Sequence, residues 1–394
     1  MNRQPDMVDV LENKAGPDWR GRRIVHVIAG LGFGGTEALC RSIVNAGRGA
    51  SGLEGRVVAL AGGEPAQAQA QIGAFETASG SPVEVLPFPP AQRARMMVWF
   101  IRYLRRVKPD GIIVYAFGLP HVVIALAARM AGAGPVVVSA GNTVPEDAGS
   151  RRKWATIIRL SRVLGVRIVS ASQAIEASLT GLGVPLPAGS RVIHNGCDID
   201  AIATEAAVAR KEGGPLIAGM VARMDPIKDH MTLLKAWAQL CRSSVPGDRE
   251  LWIIGDGELR REMEAQTRSL GIEGSVRFLG ACDDVPHLLG QMDIFVFATS
   301  AAEGFGIVLI EAMAAGLPII ASDVPACREV IGDEGAGILV EPHSPQMLTE
   351  ALEDLFAHSE KRAGLALAGG KRVRAHFDIS ATARGYAEAA FEGS

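Results

Sequence analysis

Short apolar, β-branched runs recur along the chain, and most are followed by a segment long enough for a helix. The first, RIVHVIA at 23–29, passes through a glycine-rich turn into an apolar-periodic segment at 36–46. RVVALAG (56–62), VEVLPF (83–88), GIIVYAF (111–117), PVVVSAG (135–141), RIVSAS (167–172) and RVIHNG (191–196) continue the series. Apolar strands alternating with helices predict a parallel sheet covered on both faces. A second series opens with PLIAGMVA (215–222) and runs through ELWIIG (250–255), SVRFLG (275–280), DIFVFAT (293–299), PIIASD (318–323) and GILVEP (337–342). The strand pattern lapses between 198 and 215, where the linker is expected. The pattern therefore predicts an α/β chain with two Rossmann-like domains, 23–200 and 201–375, preceded by a loose leader at 1–22 and ending in a helical segment at 376–394. A length of 394 residues, at roughly 150 per domain, agrees.

Hydrophobic residues make up 48% of the chain and charged residues 21%, so there is material for two cores and little room for disorder. The net charge of −3 argues against a nucleic-acid binder held by bulk electrostatics. That average conceals an asymmetry: residues 1–200 carry +7, residues 201–394 carry −10, and 91–191 alone carry +10. A basic surface of that size suits a phosphate-bearing or membrane-borne partner. The five cysteines lie more than 40 residues apart without a C-x-x-C pair, so neither a disulfide framework nor a zinc cluster is expected. The leader lacks a continuous apolar core of the secretory kind, and the expectation is a cytoplasmic protein. The uncharged stretch 111–128 is broken by Gly118, Pro120 and His121 and reads as a strand followed by a helix rather than a membrane span.

Three segments carry candidate chemistry. Residues 30–35 (GLGFGG) satisfy G-x-G-x-x-G after the first strand; this is either a dinucleotide turn or a tight strand-to-helix connection, and the acid near the end of the second strand, Glu64, arrives late for a ribose ligand. Residues 303–311 (EGFGIVLIE) lead from a strand into an apolar helix that stops at Gly316-Leu317-Pro318. Gly304 and Gly306 leave the amides at that helix start open to an anion such as a diphosphate. Glu303 precedes the helix, and Glu311 lies on it about 7 Å along the axis from Gly306 at ~1.5 Å per residue. Carboxylates so close to a diphosphate suit neutral hydroxyls, as on a sugar and a ribose. Arg223 and Lys228 sit in the loop after the strand 215–222, where parallel sheets bind ligands; they are either phosphate-neutralising cations or solvated surface charges. Residues 91–109 form a basic, aromatic amphipathic helix that can lie on anionic lipid or pack its apolar stripe into a core.

Taken together, the GGTE turn at 34–37, Arg223 with Lys228, the E-x7-E segment and EAMAAGLPIIASD resemble glycosyltransferase family 4, whose members have the GT-B fold of two Rossmann-like domains facing across a cleft. The resemblance covers residues 23 to about 355 and is strongest in the second half. It implies transfer of a hexose-type sugar from a nucleotide-diphosphate sugar, with UDP the expected nucleotide, to a hydroxyl of a saccharide or lipid-linked acceptor in polysaccharide or glycan biosynthesis. Retention of configuration, no essential metal and no cofactor are implied as well. Carried across, Arg223, Lys228 and Glu303 form the catalytic set: the cations hold the diphosphate and Glu303 the donor-sugar hydroxyls. Glu311 takes the ribose, amides of Gly304, Phe305, Gly306 and Ile307 face the phosphates, and Gly34 and Gly35 leave room for the two substrates. The base is expected near Leu279. The family often places a histidine after the strand 135–140; here the position reads Ala140-Gly141-Asn142-Thr143, which makes a histidine proton relay doubtful and leaves Asn142 as a hydrogen-bond donor. His121 is an alternative polar group, or a plain buried or surface histidine. The family's last helix usually crosses back to the first domain, so 376–394 is expected to do so. Peripheral contact with the inner face of an anionic membrane through 91–109 completes the expectation. The readings left beside it are a dinucleotide-dependent oxidoreductase using residues 30–35, a nucleotide-sugar hydrolase or epimerase, and a non-catalytic nucleotide-sugar binder.

Overall fold

The computed structural model describes residues 19–391 apart from Phe33, Glu64, Lys211, Glu212, Asp283 and Glu334. Most of the leader expected at 1–22, and the candidate ribose ligand Glu64, lie outside the described residues.

The first sheet contains β1 (Arg23–Ile28), β2 (Glu54–Ala59), β3 (Glu84–Val85), β4 (Gly111–Val114), β5 (Val136–Ala140), β6 (Arg167–Ser170) and β7 (Arg191–Val192) in the order β3-β2-β1-β4-β5-β6-β7, and its pairings are parallel. Its helices are α1 (Gly35–Ser51), α2 (Pro65–Ser79), α3 (Arg93–Val107), α4 (Leu119–Ala131), α5 (Ala148–Leu164) and α6 (Gln173–Thr180). α7 (Ile199–Ala209) leads to the second sheet, which contains β8 (Leu216–Val221), β9 (Arg249–Ile254), β10 (Val276–Gly280), β11 (Ile294–Phe297), β12 (Ile319–Ser322) and β13 (Ile338–Val340). Its order is β10-β9-β8-β11-β12-β13, again parallel, with α8 (His230–Leu240), α9 (Arg260–Leu270), α10 (Val285–Gly290), α11 (Ile307–Ala314), α12 (Pro325–Ile331), α13 (Pro345–Ala357), α14 (Ser359–His376) and α15 (Ile379–Phe391). The central strands are buried on both faces, which is why they read as continuous apolar runs rather than alternating ones. The edge runs 83–88 and 191–196 pair over only two residues each, β3 and β7.

The stretch 111–128 resolves into β4 and α4, and among the described residues no helix is long and apolar enough to cross a membrane. The apolar stripe of 91–109 goes inward: α3 buries Met96, Phe100, Tyr103, Leu104 and Val107 in the core of the first sheet. The helical segment beginning at His376 breaks at Phe377–Asp378, separating α14 from α15. There the chain crosses between domains beside its earlier crossing: Cys197 N–H donates to Phe377 O (3.0 Å) and Ile379 N–H to Cys197 O (3.2 Å). α15 then packs on α1, β4 and β5, with the Tyr386 and Ser139 hydroxyls 2.8 Å apart.

Candidate active site

Both sheets reverse strand order at one point, between β1 and β4 in the first and between β8 and β11 in the second. Ligands of parallel sheets bind outside the carboxyl ends at that point. The loop after β8 carries Arg223 and Lys228, the loop after β11 carries Glu303, Gly304, Phe305 and Gly306, and the turn after β1 carries Gly34 and Gly35.

Glu303 is buried and engaged at both carboxylate oxygens. One carboxylate oxygen accepts from the amides of Gly304 (3.1 Å) and Phe305 (3.4 Å); the other meets the Lys228 ammonium and the Thr299 hydroxyl (3.3 Å). Lys228 also lies 4.5 Å over the Phe297 ring. Arg223 is exposed and held at its base by Asp225 (Nε to Oδ2, 2.8 Å). The other oxygen of Asp225 accepts from the amides of Ile227 (3.0 Å) and Lys228 (3.3 Å), so this Asp-Pro turn shapes the cation loop.

The N-cap of α11 is Gly306 at φ 82°, where a Cβ would lie 3.1 Å from both Phe297 and Leu309, so only glycine fits. Among the described residues six helices begin on a capping Asp or Ser (Asp147, Ser172, Asp198, Asp229, Asp284 and Ser344), while α3, α9, α12 and α14 have no side-chain cap. α11 and α1 also have no side-chain cap, and their starts face each other: a Cβ on Gly35 would lie 3.4 Å from Cδ1 of Ile307. The starts of α1 and α11 are therefore neighbours across the two domains, with Arg223 near enough to act on Glu37 of α1 and Lys228 on Glu303 in the loop before α11. Phe305 contributes backbone there, while its ring is buried against Phe377 and His194.

Glu311, half-buried on α11, has its carboxyl pushed up to about 7 by desolvation, with the charge of Arg41 on α1 pulling the other way. Burial likewise raises the Glu37 carboxyl, opposed by its own backbone N–H and by Arg223. Glu37 and Arg41, one turn apart on α1, are thus first-domain residues acting on second-domain Arg223 and Glu311. Their Glu–Arg i, i+4 spacing was the available signal in the sequence.

Asn142 is exposed in the loop after β5, where the domains touch: Thr143 Oγ1 donates to Ala302 O (3.1 Å), and a Cβ on Gly304 would collide with the Gly141 carbonyl oxygen. Leu279, partly buried near the end of β10, lies two strands out from β8, about 10 Å at ~4.8 Å per strand. His121 is buried at the start of α4. Its Nδ1 accepts from Gly118 N–H (3.0 Å), its Nε2 meets Ser161 Oγ (2.9 Å), and burial lowers its pKa to about 4, so it is a neutral structural residue at the start of α4.

A second cross-domain contact was not expected from the sequence. Glu329 on α12 accepts from the α6 amides of Gln173 (2.7 Å) and Ala174 (3.3 Å) and from His194 Nε2 (2.7 Å), while Ser172 Oγ donates to Gly304 O (2.6 Å). A second-domain carboxylate thereby sits on the N-terminus of a first-domain helix.

Residues 34–196 match the family model of the glycosyl transferase 4-like domain, and residues 202–372 that of the glycosyl transferases group 1. The phosphatidyl-myo-inositol mannosyltransferase of Mycobacterium leprae is 31% identical over 202 residues, 48% of this chain and 50% of the relative. The N-acetylgalactosamine-N,N'-diacetylbacillosaminyl-diphospho-undecaprenol 4-alpha-N-acetylgalactosaminyltransferase of Campylobacter jejuni is 30% identical over 179 residues, 45% and 47% respectively. The chain thus spans about half the length of the curated relatives it matches. Among solved structures, Anabaena HepE in complex with UDP and glucose superposes with a TM-score of 0.77 at 22% identity, over 93% of this chain and 98% of that one. The two facing sheets are those of the GT-B fold. Since the two family models meet at the interdomain crossing and each falls on one of those sheets, the chain belongs to the glycosyltransferases of family 4 type.

Proposed function

We propose that this protein is a retaining, metal-independent hexosyltransferase that uses a nucleotide-diphosphate sugar, with UDP as the nucleotide, and a hydroxyl of a saccharide or lipid-linked saccharide as acceptor in glycan or polysaccharide biosynthesis. The observation that carries this reading is that the starts of α1 and α11, neither with a side-chain cap, face each other across the domains while the adjoining loops carry Arg223 and Lys228. There a diphosphate would meet Arg223 and Lys228, which are paired with Asp225 and Glu303 in the structure, together with the backbone amides of the helix starts. HepE was solved with UDP, and the M. leprae and C. jejuni relatives are named for phosphatidyl-inositol and diphospho-undecaprenol substrates; these names support the choice of donor and acceptor classes.

In this reading the acceptor oxygen attacks the anomeric carbon on the face the diphosphate leaves. The bond from that carbon to the phosphate oxygen breaks, and the departing phosphate takes the acceptor's proton, giving glycoside and nucleoside diphosphate. Arg223 and Lys228 neutralise the leaving group, a role a divalent ion fills in other sugar transferases. Glu303, oriented by its amide and hydroxyl contacts, receives the sugar hydroxyls; Glu311 receives the ribose. The base lies toward Leu279, about 10 Å out, and Asn142 donates near the reacting sugar. Closure of the two domains excludes water, which would otherwise take the sugar.

The test is thermal stabilisation by a panel of nucleoside diphosphates and their sugars with EDTA present throughout. A shift selective for uridine nucleotides, lost in Glu311→Ala, supports the reading. A shift only with nicotinamide or flavin dinucleotides would overturn it.

A further inference from the structure

The amino ends of β8, β11 and β12 open onto a cavity of about 290 Å³, flanked by the end of α7 and the start of α14. It lies at the opposite end of the second sheet from the loop that carries Arg223 and Lys228, about 20 Å away at ~3.3 Å per residue over the six residues of β8. Two guanidinium groups line it, in a half of the chain that carries −10 overall. Arg210, which follows α7, donates from Nη2 to the Ala315 carbonyl (3.3 Å) at the end of α11. Arg362, on α14, donates from Nη1 to the carbonyls of Leu355 and Phe356 (3.3 Å) at the end of α13. Helix-end carbonyls therefore fix both side chains, and among the described residues neither pairs with a carboxylate. Nε and Nη1 of Arg210, and Nε and Nη2 of Arg362, keep their N–H groups for something else. The rest of the polar lining is of another kind. Asp293 accepts from the Ile217 amide with Oδ2 (2.8 Å) and has no donor at Oδ1 among the described residues, and Gln291 adds a side-chain amide.

We propose that this cavity is a second ligand site, for a small phosphate monoester of a polyol, of the hexose phosphate class. Two guanidinium groups without carboxylate partners match one phosphate, which Arg grips through paired N–H groups. The free oxygen of Asp293 and the Gln291 amide match hydroxyls, and the Asp293 charge disfavours a second phosphate in the same space. The volume points the same way: it lies at the lower end of the ~300–1,000 Å³ of small-molecule sites, enough for a hexose phosphate and too little for a nucleotide sugar. The position gives such a ligand a lever. α7 follows the first crossing between domains and α14 precedes the second, so a phosphate held by Arg210 and Arg362 ties together the two segments through which the domains connect. Arg210 also holds the end of α11, whose start lies at the cleft. The inference goes beyond the proposed transfer reaction and does not rest on it.

The test is calorimetric titration of the full chain with glucose 6-phosphate, inorganic phosphate and glucose in a phosphate-free buffer. Glucose 6-phosphate should bind, inorganic phosphate at least tenfold more weakly, and glucose not at all. Arg210→Gln with Arg362→Gln should weaken binding of the ester at least tenfold, and so should Ala366→Trp, which fills the cavity from α14. Arg223→Gln, in the cleft, should leave it unchanged. Thermal unfolding of each variant checks the fold, and hydrogen exchange on the wild type should slow at the end of α7 and the start of α14 when the ester is added. Absence of binding would overturn the proposal, as would cavity variants that bind like the wild type. Binding lost in Arg223→Gln alone would assign the ester to the cleft instead. Inorganic phosphate binding as tightly as the ester would overturn the role given to the hydroxyls. Because the readout is binding at the far end of the sheet, failure here leaves the proposed activity standing, and loss of activity leaves this proposal standing.

Discussion

Glu311 holds its carboxylate in a place that disfavours charge. Its folded pKa of about 7 lies above the ordinary value of 4.5, so between those values the folded state keeps a proton that the unfolded chain releases. The contribution of this group to stability is therefore greatest at low pH and is lost as pH rises toward 7. Glu311→Gln, neutral throughout, is expected to be more stable than wild type by about 1–2 kcal/mol at pH 8 and close to it at pH 5, read as the difference in melting temperature at the two pH values. Donor binding should move the opposite way, weakened in the variant and falling in the wild type as pH drops below 7, because a ribose hydroxyl is better accepted by the anion. The Lys228–Glu303 pair sets a second expectation. Their side chains are only 16% and 10% exposed, so Lys228→Met leaves a buried carboxylate without its counter-charge and should cost about 3–5 kcal/mol in denaturant unfolding. Adding Glu303→Gln should restore most of that stability without restoring transfer. Equal destabilisation of the single and double variants would mean that the two residues are not coupled.

At the scale of elements, the site is two loops and two helix starts held in register by a glycine contact. The Gly304 loop reaches the first domain only because no Cβ stands between it and the Gly141 carbonyl. Gly304→Ala should keep both sheets folded, with an unchanged circular-dichroism spectrum, yet prevent the domains from closing. A larger radius of gyration in X-ray scattering and at least a hundredfold loss of transfer are expected; an unchanged radius would contradict the closure role. The alternation that predicts two parallel sheets was readable because each buried strand and its helix are local in sequence, as was the EGFGIVLIE segment, whose glycines and helix stop lie within a dozen residues. What resisted reading was set by distant partners. The stripe of α3 has the same pattern whether it meets lipid or core, and only the neighbouring strands and α4 decide. Glu329 looks like an ordinary helical glutamate until the fold brings it to the α6 amides, 156 residues earlier in the chain for Gln173. Glu37 and Arg41 gain their meaning only when the second domain faces them.

The whole molecule turns on two adjacent crossings, at Cys197 and at Phe377–Ile379, after which α15 completes the first domain rather than the second. The first core is thus assembled from the two ends of the described chain, and the second domain is inserted between them. Tyr386 is the largest fully buried side chain on α15, tilted against Tyr115 with ring centroids 6.1 Å apart and joined to the Ser139 hydroxyl. Its removal should therefore act on a domain that begins more than 350 residues earlier. Tyr386→Ala is expected to destabilise the first domain by about 3–5 kcal/mol through the cavity it leaves, and Tyr386→Phe by about 1 kcal/mol through the lost hydroxyl contact. Proteolysis of the alanine variant under mild denaturant should digest peptides of the first sheet, β1 to β7, while those of β8 to β13 stay protected. Simultaneous loss of both sets would show that the crossings couple the two domains into one cooperative unit, and the hinge would then have to move as a rigid piece.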